Sequence, residues 1–328
     1  MGFRCFHLLP IFAILIIAQG VTSQAASSSE EYWEKMLPNT PMPKTIEDSL
    51  KTEGRVGVNV GNHGIDVRSG KPNTGSTNIH VGKGGTWVDV HPKGNPFLYR
   101  YAATQTQLKD NPNIALFFLQ KDLKPGTQMN LHFTKSPNGA TLLPRKISES
   151  IPFSSDNIPQ ILTRFDVKSN SNEAKVMTRT IKECEAKGLD GEDQTCATSL
   201  ESMVDYVISK LGKELDTIST NTGKQEEIKT QKYVFTGVRK VSEHKAVVCH
   251  KMDYVCAVFY CHKTEKTKTY MVSLMGVDGT KVKGAVICHT DTSKWNPKHL
   301  AFHVLKVEPG SVPVCHFLPE DHVVWVPK

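Results

Sequence analysis

The residues best suited to chemistry in this sequence are four Cys-His dipeptides in its C-terminal third. They begin at Cys249, Cys261, Cys288 and Cys315, with ten, twenty-five and twenty-five residues between successive copies. Each dipeptide follows a short run of apolar, mostly β-branched or aromatic residues, which predicts that it lies near the end of a strand. Neighbouring residues on a strand point to opposite faces. We therefore expect the four sulfur atoms on one side and the four imidazole rings on the other.

Three kinds of chemistry fit these residue types. A structural zinc site usually needs two cysteines or two histidines a few residues apart, and neighbours on one strand do not both reach one ion. A purely structural alternative pairs the sulfur atoms in two disulfides and leaves the histidines as bystanders. The third is a metal held by imidazole alone, which we favour because His follows Cys in every copy. Its ligands would be His250, His262, His289 and His316, with His244, His299, His303 and His322 near enough in sequence to join.

The spacing of the four dipeptides resembles the signature of the plant BURP-domain family. Eight residues at these linked spacings rarely arise by chance. Other stretches resemble the dehydration-responsive branch of that family, and together they cover most of the chain after its N-terminus. They include Leu37-Pro38-Asn39-Thr40-Pro41-Met42-Pro43, Asn95-Pro96-Phe97, Cys196-Ala197-Thr198-Ser199-Leu200 and Trp295-Asn296-Pro297-Lys298-His299.

The resemblance implies a copper site. In some branches of the family these histidines bind copper, and the protein is a peptide cyclase that joins a Tyr or Trp side chain to a peptide by oxidation. Copper is chemically reasonable, because imidazole suits it and an oxidising compartment supplies Cu(II). His299 is the best additional ligand, since it belongs to the Trp-Asn-Pro-Lys-His stretch.

Two functions follow from the resemblance. The first is a secreted protein of the apoplast or cell wall, associated with drought and salt response, that binds wall polysaccharide or wall proteins. The alternative is a copper-dependent peptide cyclase. Self-modifying cyclases carry a repeated core peptide with Tyr or Trp before the domain, whereas this region has only Trp87. A cyclase of this sequence would therefore act on a separate peptide. The sequence contains no Ser/His/Asp hydrolase elbow and no phosphate-binding loop, so no catalytic residue is assigned.

The N-terminus has the features of a secretory signal peptide, predicted over residues 1–23. Arg4 supplies a positive start, and Leu8 to Ile17 form an apolar core that is short for a bilayer span. Ser23 and Ala26 are candidate cleavage sites. We expect a protein secreted to the extracellular space, with no membrane attachment after signal removal. The net charge of +7 is not gathered into the basic stripe of a nucleic-acid-binding protein.

Secretion makes disulfides the expected state of the cysteines. Of eight cysteines, Cys5 lies in the signal and seven remain. Cys184 and Cys196 lie at the facing ends of two predicted helices, so we expect them to pair and to staple a helix hairpin. The cysteines of the four dipeptides are expected to pair among themselves, in an order that the sequence leaves open. Cys256 is expected to be unpaired, because the family signature has no place for it.

The sequence predicts an α+β fold. An N-terminal leader at 24–50 is either a strap on the main domain or disordered. Residues 51–94 are rich in Gly and Val, contain a degenerate repeat and lack Leu, Phe and Met, which predicts a variable, flexible linker. Residues 95–328 form the domain that resembles the BURP family. In it, a helix hairpin and a mixed front half join a compact all-β C-terminal region that carries the four Cys-His pairs.

Overall fold

A computed structural model describes residues 29–50, 117–133, 140–186, 193–223, 230–263, 266–295, 297 and 299–328, with the backbone of four strands between 57 and 91. Its elements are helices and antiparallel strands, and the C-terminal region is mostly strand, as the α+β prediction requires. The predicted signal peptide and the predicted domain start at residue 95 lie outside the described residues. None of the described helices is long and apolar enough to cross a membrane.

The first four strands form a sheet of their own, in consecutive order. They are β1 (Gly57–Gly61), β2 (Gly64–Gly70), β3 (Ser76–Gly82) and β4 (Gly85–His91). Gly61 pairs with Gly64 and Gly82 pairs with Gly85, so each copy of the degenerate repeat contains the ends of two adjacent, paired strands. The variable linker that the composition predicts here stays a prediction. Along the segment Val and Ile alternate with polar residues, a local pattern that favours strands and that average composition obscures.

Eleven further strands of the described residues build two larger antiparallel sheets. Their bounds are β5 (Phe118–Leu119), β6 (Gln128–Leu131), β7 (Asp193–Ala197), β8 (Leu215–Ile218), β9 (Gln231–Glu243), β10 (Val247–Met252), β11 (Val258–Lys263), β12 (Thr267–Gly276), β13 (Lys281–His289), β14 (Val314–Phe317) and β15 (Val323–Pro327). The five-stranded sheet has the order β7-β11-β10-β15-β8. The six-stranded sheet has the order β5-β14-β13-β12-β9-β6.

The two sheets share one buried layer. Val248 and Val324 from the five-stranded sheet and Ala285 and Ile287 from the six-stranded sheet belong to the same apolar cluster. Their strand neighbours, which point the other way, belong to separate clusters. Helices cover the outer face of the five-stranded sheet, whereas the six-stranded sheet encloses a core of its own residues. The result is a sandwich with three successive apolar layers.

Seven helices lie in the described residues. They are α1 (29–36), α2 (Lys44–Leu50), α3 (Arg145–Ser148), α4 (Ile158–Arg164), α5 (Asn172–Glu185), α6 (Leu200–Leu211) and α7 (Leu300–Leu305). Helix α6 packs its apolar stripe on the outer face of the five-stranded sheet. Ser199 caps its first turn by accepting from the Ser202 amide, and Ser202 returns the bond, which is a capping box. Gly212 ends the helix with φ +86°, a conformation that glycine adopts without strain.

The leader is a strap of residues 29–50 on this same outer face. Trp33 is 2% exposed and lies with its ring centroid 5.3 Å from that of Trp325 on β15. The Trp33 indole donates to the carbonyl of Thr40 at 2.8 Å, and the Thr40 hydroxyl donates to the carbonyl of Leu215 at 2.7 Å. The strap therefore contributes to the core and is not a disordered leader.

Two details of the predicted architecture differ in the structure. Cys184 does lie on α5 and pairs with Cys196, but Cys196 lies on strand β7. The disulfide therefore joins a helix to the edge of a sheet, and the helix hairpin was a wrong prediction. Strands β5 to β8 of the mixed front half are edge or near-edge members of the two sheets. The front half is thus part of the sandwich, because short edge strands far apart in sequence complete both sheets.

Candidate metal centre

Each sheet contains one cross-strand disulfide formed by cysteines of the repeated dipeptides. Cys249 and Cys261 are register partners on β10 and β11, and their Cα atoms are 4.0 Å apart. Cys288 and Cys315 are register partners on β13 and β14, also with Cα atoms 4.0 Å apart. The pairing that the sequence left open is therefore first with second and third with fourth.

The sulfur atoms of the two disulfides lie on the far sides of the sandwich. Cys249 and Cys261 belong to the cluster beneath α6 and the strap, and Cys288 and Cys315 belong to the core of the six-stranded sheet. The expectation that all four sulfur atoms gather on one side was wrong. The reason is that the four strands belong to two sheets, so that alternation turns the two cysteine pairs away from each other.

Alternation turns the four histidines of the dipeptides inwards, between the sheets. His250 and His262 of the five-stranded sheet stack with ring centroids 5.3 Å apart. His289 and His316 of the six-stranded sheet stack in the same way, 5.6 Å apart. The two pairs face each other closely enough that His289 and His316 both affect the proton affinity of His250. The four imidazoles therefore form one buried group between the two sheets.

A fifth imidazole, from outside the repeat, belongs to the same group. Nδ1 of His322 lies 2.9 Å from Nδ1 of His250, and Nε2 of His250 lies 3.2 Å from Nε2 of His262. His322 was one of several neighbours in sequence, and nothing in its spacing singled it out. We call these five residues the imidazole cluster, namely His250, His262, His289, His316 and His322.

Of the other candidate histidines, only His299 lies beside the cluster. The ring centroid of Trp295 is 4.6 Å from that of His299 and 4.8 Å from that of His289, and Phe117 lies between His299 and His316. His244 and His303 are exposed, and His244 lies beside Glu243. Trp295 is a contact of the site that the metal-ligand argument passed over, although it opens the motif that contains His299.

Burial keeps four rings of the imidazole cluster neutral, namely those of His250, His289, His316 and His322. It lowers the pKa of His316 and of His322 to about 4, and lowers the pKa of His250 and His289 well below the usual 6.5. Neighbouring imidazoles act in the same direction on His250, because two adjacent rings do not both accept a positive charge easily. At neutral pH these four rings therefore carry the lone pair that a metal ion needs.

Hydrogen bonds restrict which ring nitrogen carries the proton. Nδ1 of His316 lies 3.2 Å from the carbonyl oxygen of Phe317, and a carbonyl only accepts, so this nitrogen is the N–H. The lone pair of His316 is thus on Nε2. A ligand histidine is commonly oriented in this way, with its second nitrogen donating to a backbone carbonyl.

The chemistry of the cluster fits a metal such as copper in donor type. Nε2 of His289 is buried and has no hydrogen-bond partner in the described part of the chain, a state that usually costs about 1–3 kcal/mol and that a metal bond would relieve. Two nitrogens each about 2.0–2.1 Å from one ion lie roughly 3 Å apart, and the His250–His262 separation is 3.2 Å. Among the described residues, no three His, Cys, Asp or Glu side chains are already arranged to hold an ion. The cluster thus offers pairs of donors whose rings would adjust on binding.

A BURP-domain family model matches residues 116–327. The chain belongs to the BURP-domain family. The sequence is 42% identical to BURP domain protein RD22 of Arabidopsis thaliana, with 97% of this chain and 98% of that protein aligned. It is 50% identical to BURP domain-containing protein 3 of Oryza sativa subsp. japonica over 96% of this chain and 97% of the relative. The BURP match thus begins just before β5 and includes all eight residues of the four dipeptides.

The BURP assignment confirms the family inferred from the sequence motifs. Alignment with RD22 also covers nearly the whole chain. BURP domain-containing protein BNM2A of Brassica napus is 39% identical over 67% of this chain. The sandwich shows what the spacing of a BURP signature achieves here: each disulfide ties two adjacent strands, and each sheet supplies two imidazoles to a shared interior.

Proposed function

We propose that this protein is a secreted BURP-domain protein of the plant cell wall, associated with drought and salt stress, whose domain binds copper at the imidazole cluster. The observation that carries the copper proposal is the convergence of neutral imidazoles from two sheets. The three disulfides support secretion, because such bonds persist in oxidising compartments. The resemblance of the sequence motifs to the dehydration-responsive branch supports the association with stress.

The residues of the cluster would have different roles in holding copper. His250, His262, His289 and His316 would be ligands, and His322 would either join them or fix the tautomer of His250. The carbonyl of Phe317 orients His316. The disulfides hold the strands in register, so that the rings are positioned before the ion arrives. Bound copper supplies one-electron oxidation chemistry that no side chain provides alone.

The experiment that tests the copper proposal is a metal analysis of the secreted, purified protein and two variants. The wild type should contain stoichiometric copper, and His289→Ala should lose most of it while retaining all three disulfides. His303→Ala is the matched control, because His303 is exposed and outside the cluster. Full copper in folded His289→Ala, or none in the wild type, would contradict the proposal.

A second candidate function is a copper-dependent peptide cyclase that acts on a separate peptide. One observation favours it. The two cross-strand disulfides already hold the strands of the dipeptides together, so the fold does not need five buried histidines for stability. The product of such a reaction would be a peptide lighter by two hydrogens, with a Tyr or Trp side chain joined to another residue. Incubation of the copper-loaded protein with Tyr- or Trp-containing peptides under oxygen, followed by mass spectrometry, tests this function.

The partner proposed for a wall protein is an acidic polysaccharide. Arg239, Lys281 and Lys283 lie on β9 and β13 of the six-stranded sheet, and none of them has an ion pair within the described residues. The net charge of +7 also favours binding to an acidic polymer. Binding to pectin should therefore weaken as salt screens these charges. Retention on pectin that does not change with salt would contradict a charge-based interaction.

A further inference from the structure

A half-buried aromatic ring borders the imidazole cluster on each side. On the five-stranded side it is Tyr260, whose ring centroid is 5.5 Å from that of His262 and whose hydroxyl is already bonded to Gln194. On the six-stranded side, the ring next to His289 is Trp295, which is half-buried, followed by half-buried His299. A molecule that approaches the cluster from the six-stranded side therefore passes Trp295 and His299.

Trp295 connects the buried histidines with the surface. Its ring is T-shaped to His289, with centroids 4.8 Å apart, and tilted against His299, with centroids 4.6 Å apart. Phe302 of α7 supports it from another side at 6.0 Å. An indole held among three rings presents a small aromatic surface. Such a surface suits one inserted side chain better than a polymer lying across an open platform.

His299 supplies a directed hydrogen-bond donor beside this indole. Its Nδ1 accepts from the amide of Ala301 at 3.2 Å, which caps the start of α7. In a neutral ring whose Nδ1 accepts, Nε2 carries the proton. Ligation of a metal at Nε2 would require the ring to give up this cap, so the role of donor suits His299 better than that of ligand.

We propose that Trp295 and His299 form the entrance to the imidazole cluster and hold the aromatic side chain of a peptide there. The peptide ring would pack on Trp295, and a peptide carbonyl would accept from Nε2–H of His299. The inference rests on the proposed peptide chemistry of the same site, and it names the residues that select the side chain. Both are positioning residues, since neither is required to hold the metal.

The test compares two synthetic peptides, a Gly-Ser octapeptide with one central Tyr and the same peptide with Leu. Calorimetry on the secreted protein, as isolated, should show tighter binding of the Tyr peptide. Trp295→Leu should remove most of this preference, a loss of about two- to tenfold for one aromatic pair. His299→Asp keeps a good helix cap but has no donor, so it should weaken both peptides by a similar factor. Tyr32→Leu on the strap is the control for loss of a distant aromatic ring.

Several outcomes would overturn the inference. Equal binding of the two peptides to the wild type would do so, as would an unchanged preference in Trp295→Leu. Binding of an oligogalacturonide that depends on Trp295, with no peptide binding, would assign the entrance to a sugar. If Trp295→Leu does not fold, Trp295→Phe serves instead and should keep the Tyr preference, whose loss would count against the inference. Copper content is measured in parallel: copper without peptide preference rejects only the entrance, and preference without copper rejects only the metal proposal.

Discussion

His250 and His322 meet through their Nδ1 atoms at 2.9 Å, although only His250 belongs to a Cys-His dipeptide. Because Nε2 of His250 also faces an imidazole nitrogen, that of His262, a neutral His250 donates to one neighbour and accepts from the other. The three rings thus form a chain with one direction of donation. Removing His322 therefore changes the environment of both other rings.

The first prediction concerns His322→Ala. We expect the affinity for Cu(II) to fall by about 10–100-fold, the effect seen when a residue that orients a ligand is lost. The measurement is a competitive copper titration at neutral pH. His303→Ala should bind like the wild type. An unchanged affinity in folded His322→Ala would remove His322 from the metal centre.

The second prediction concerns the stability of the metal-free protein against acid. His316 and His322 have a pKa of about 4 when folded and about 6.5 when unfolded. Between these values the unfolded chain binds more protons, so the free energy of unfolding should fall as the pH falls from about 6.5 to 4. Above about pH 6.5 the two rings are neutral in both the folded and the unfolded protein, so they do not make the free energy of unfolding depend on pH.

The histidine effect is opposed by one buried carboxyl. Burial raises the pKa of Asp253 to about 6, so this group favours the folded state as the pH falls. The five histidines with lowered pKa values outnumber it. Urea unfolding across this pH range measures the slope, and His316→Gln should make it shallower by up to about 1.4 kcal/mol per pH unit. The same slope in both proteins would contradict the assignment.

The third prediction separates sulfur from imidazole. The double variant Cys288→Ala/Cys315→Ala should lose about 3 kcal/mol of stability, as expected for a disulfide that closes a loop of this length. While folded, it should still bind copper, because the sulfur atoms lie in the core of the six-stranded sheet and point away from the cluster. Urea unfolding and copper stoichiometry measure the two quantities. Loss of copper at full stability would show that sulfur takes part in binding.

The fourth prediction concerns Cys256, which is unpaired and buried. Burial raises its pKa to about 12, so almost no thiolate is present at neutral pH and the thiol should be inert in the native protein. Alkylation should leave the native protein unlabelled and, after unfolding without reductant, should label Cys256 alone. Labelling of Cys249 or Cys288 instead would mean that the described disulfides are incomplete in the purified protein.

The sequence predicted local features well and the relation between layers poorly. The opposite orientation of each cysteine and its neighbouring histidine, as at Cys249 and His250, follows from periodicity within a few residues. Membership of β10 in one sheet and β13 in another does not, because strand pairing depends on residues far apart along the chain. The pairing of β10 with β15 brings His322, which precedes β15, next to His250. The distance of His322 from the dipeptides along the sequence therefore gave no indication that it belongs to the site. The helix hairpin failed for a related reason: the short stretch before α6 completes a sheet edge.

The contact between Trp33 and Trp325 has a consequence for biosynthesis. Almost the whole chain separates these two residues, so the strap emerges from the ribosome long before its binding surface on β15 exists. At about 5–20 residues per second, the interval is on the order of 15–60 s. During that time Trp33 and Leu37 lack the surface that buries them in the folded protein, and apolar side chains of this kind on a nascent polypeptide are targets for chaperones. The strap can therefore dock only after the last strand, β15, has been synthesised.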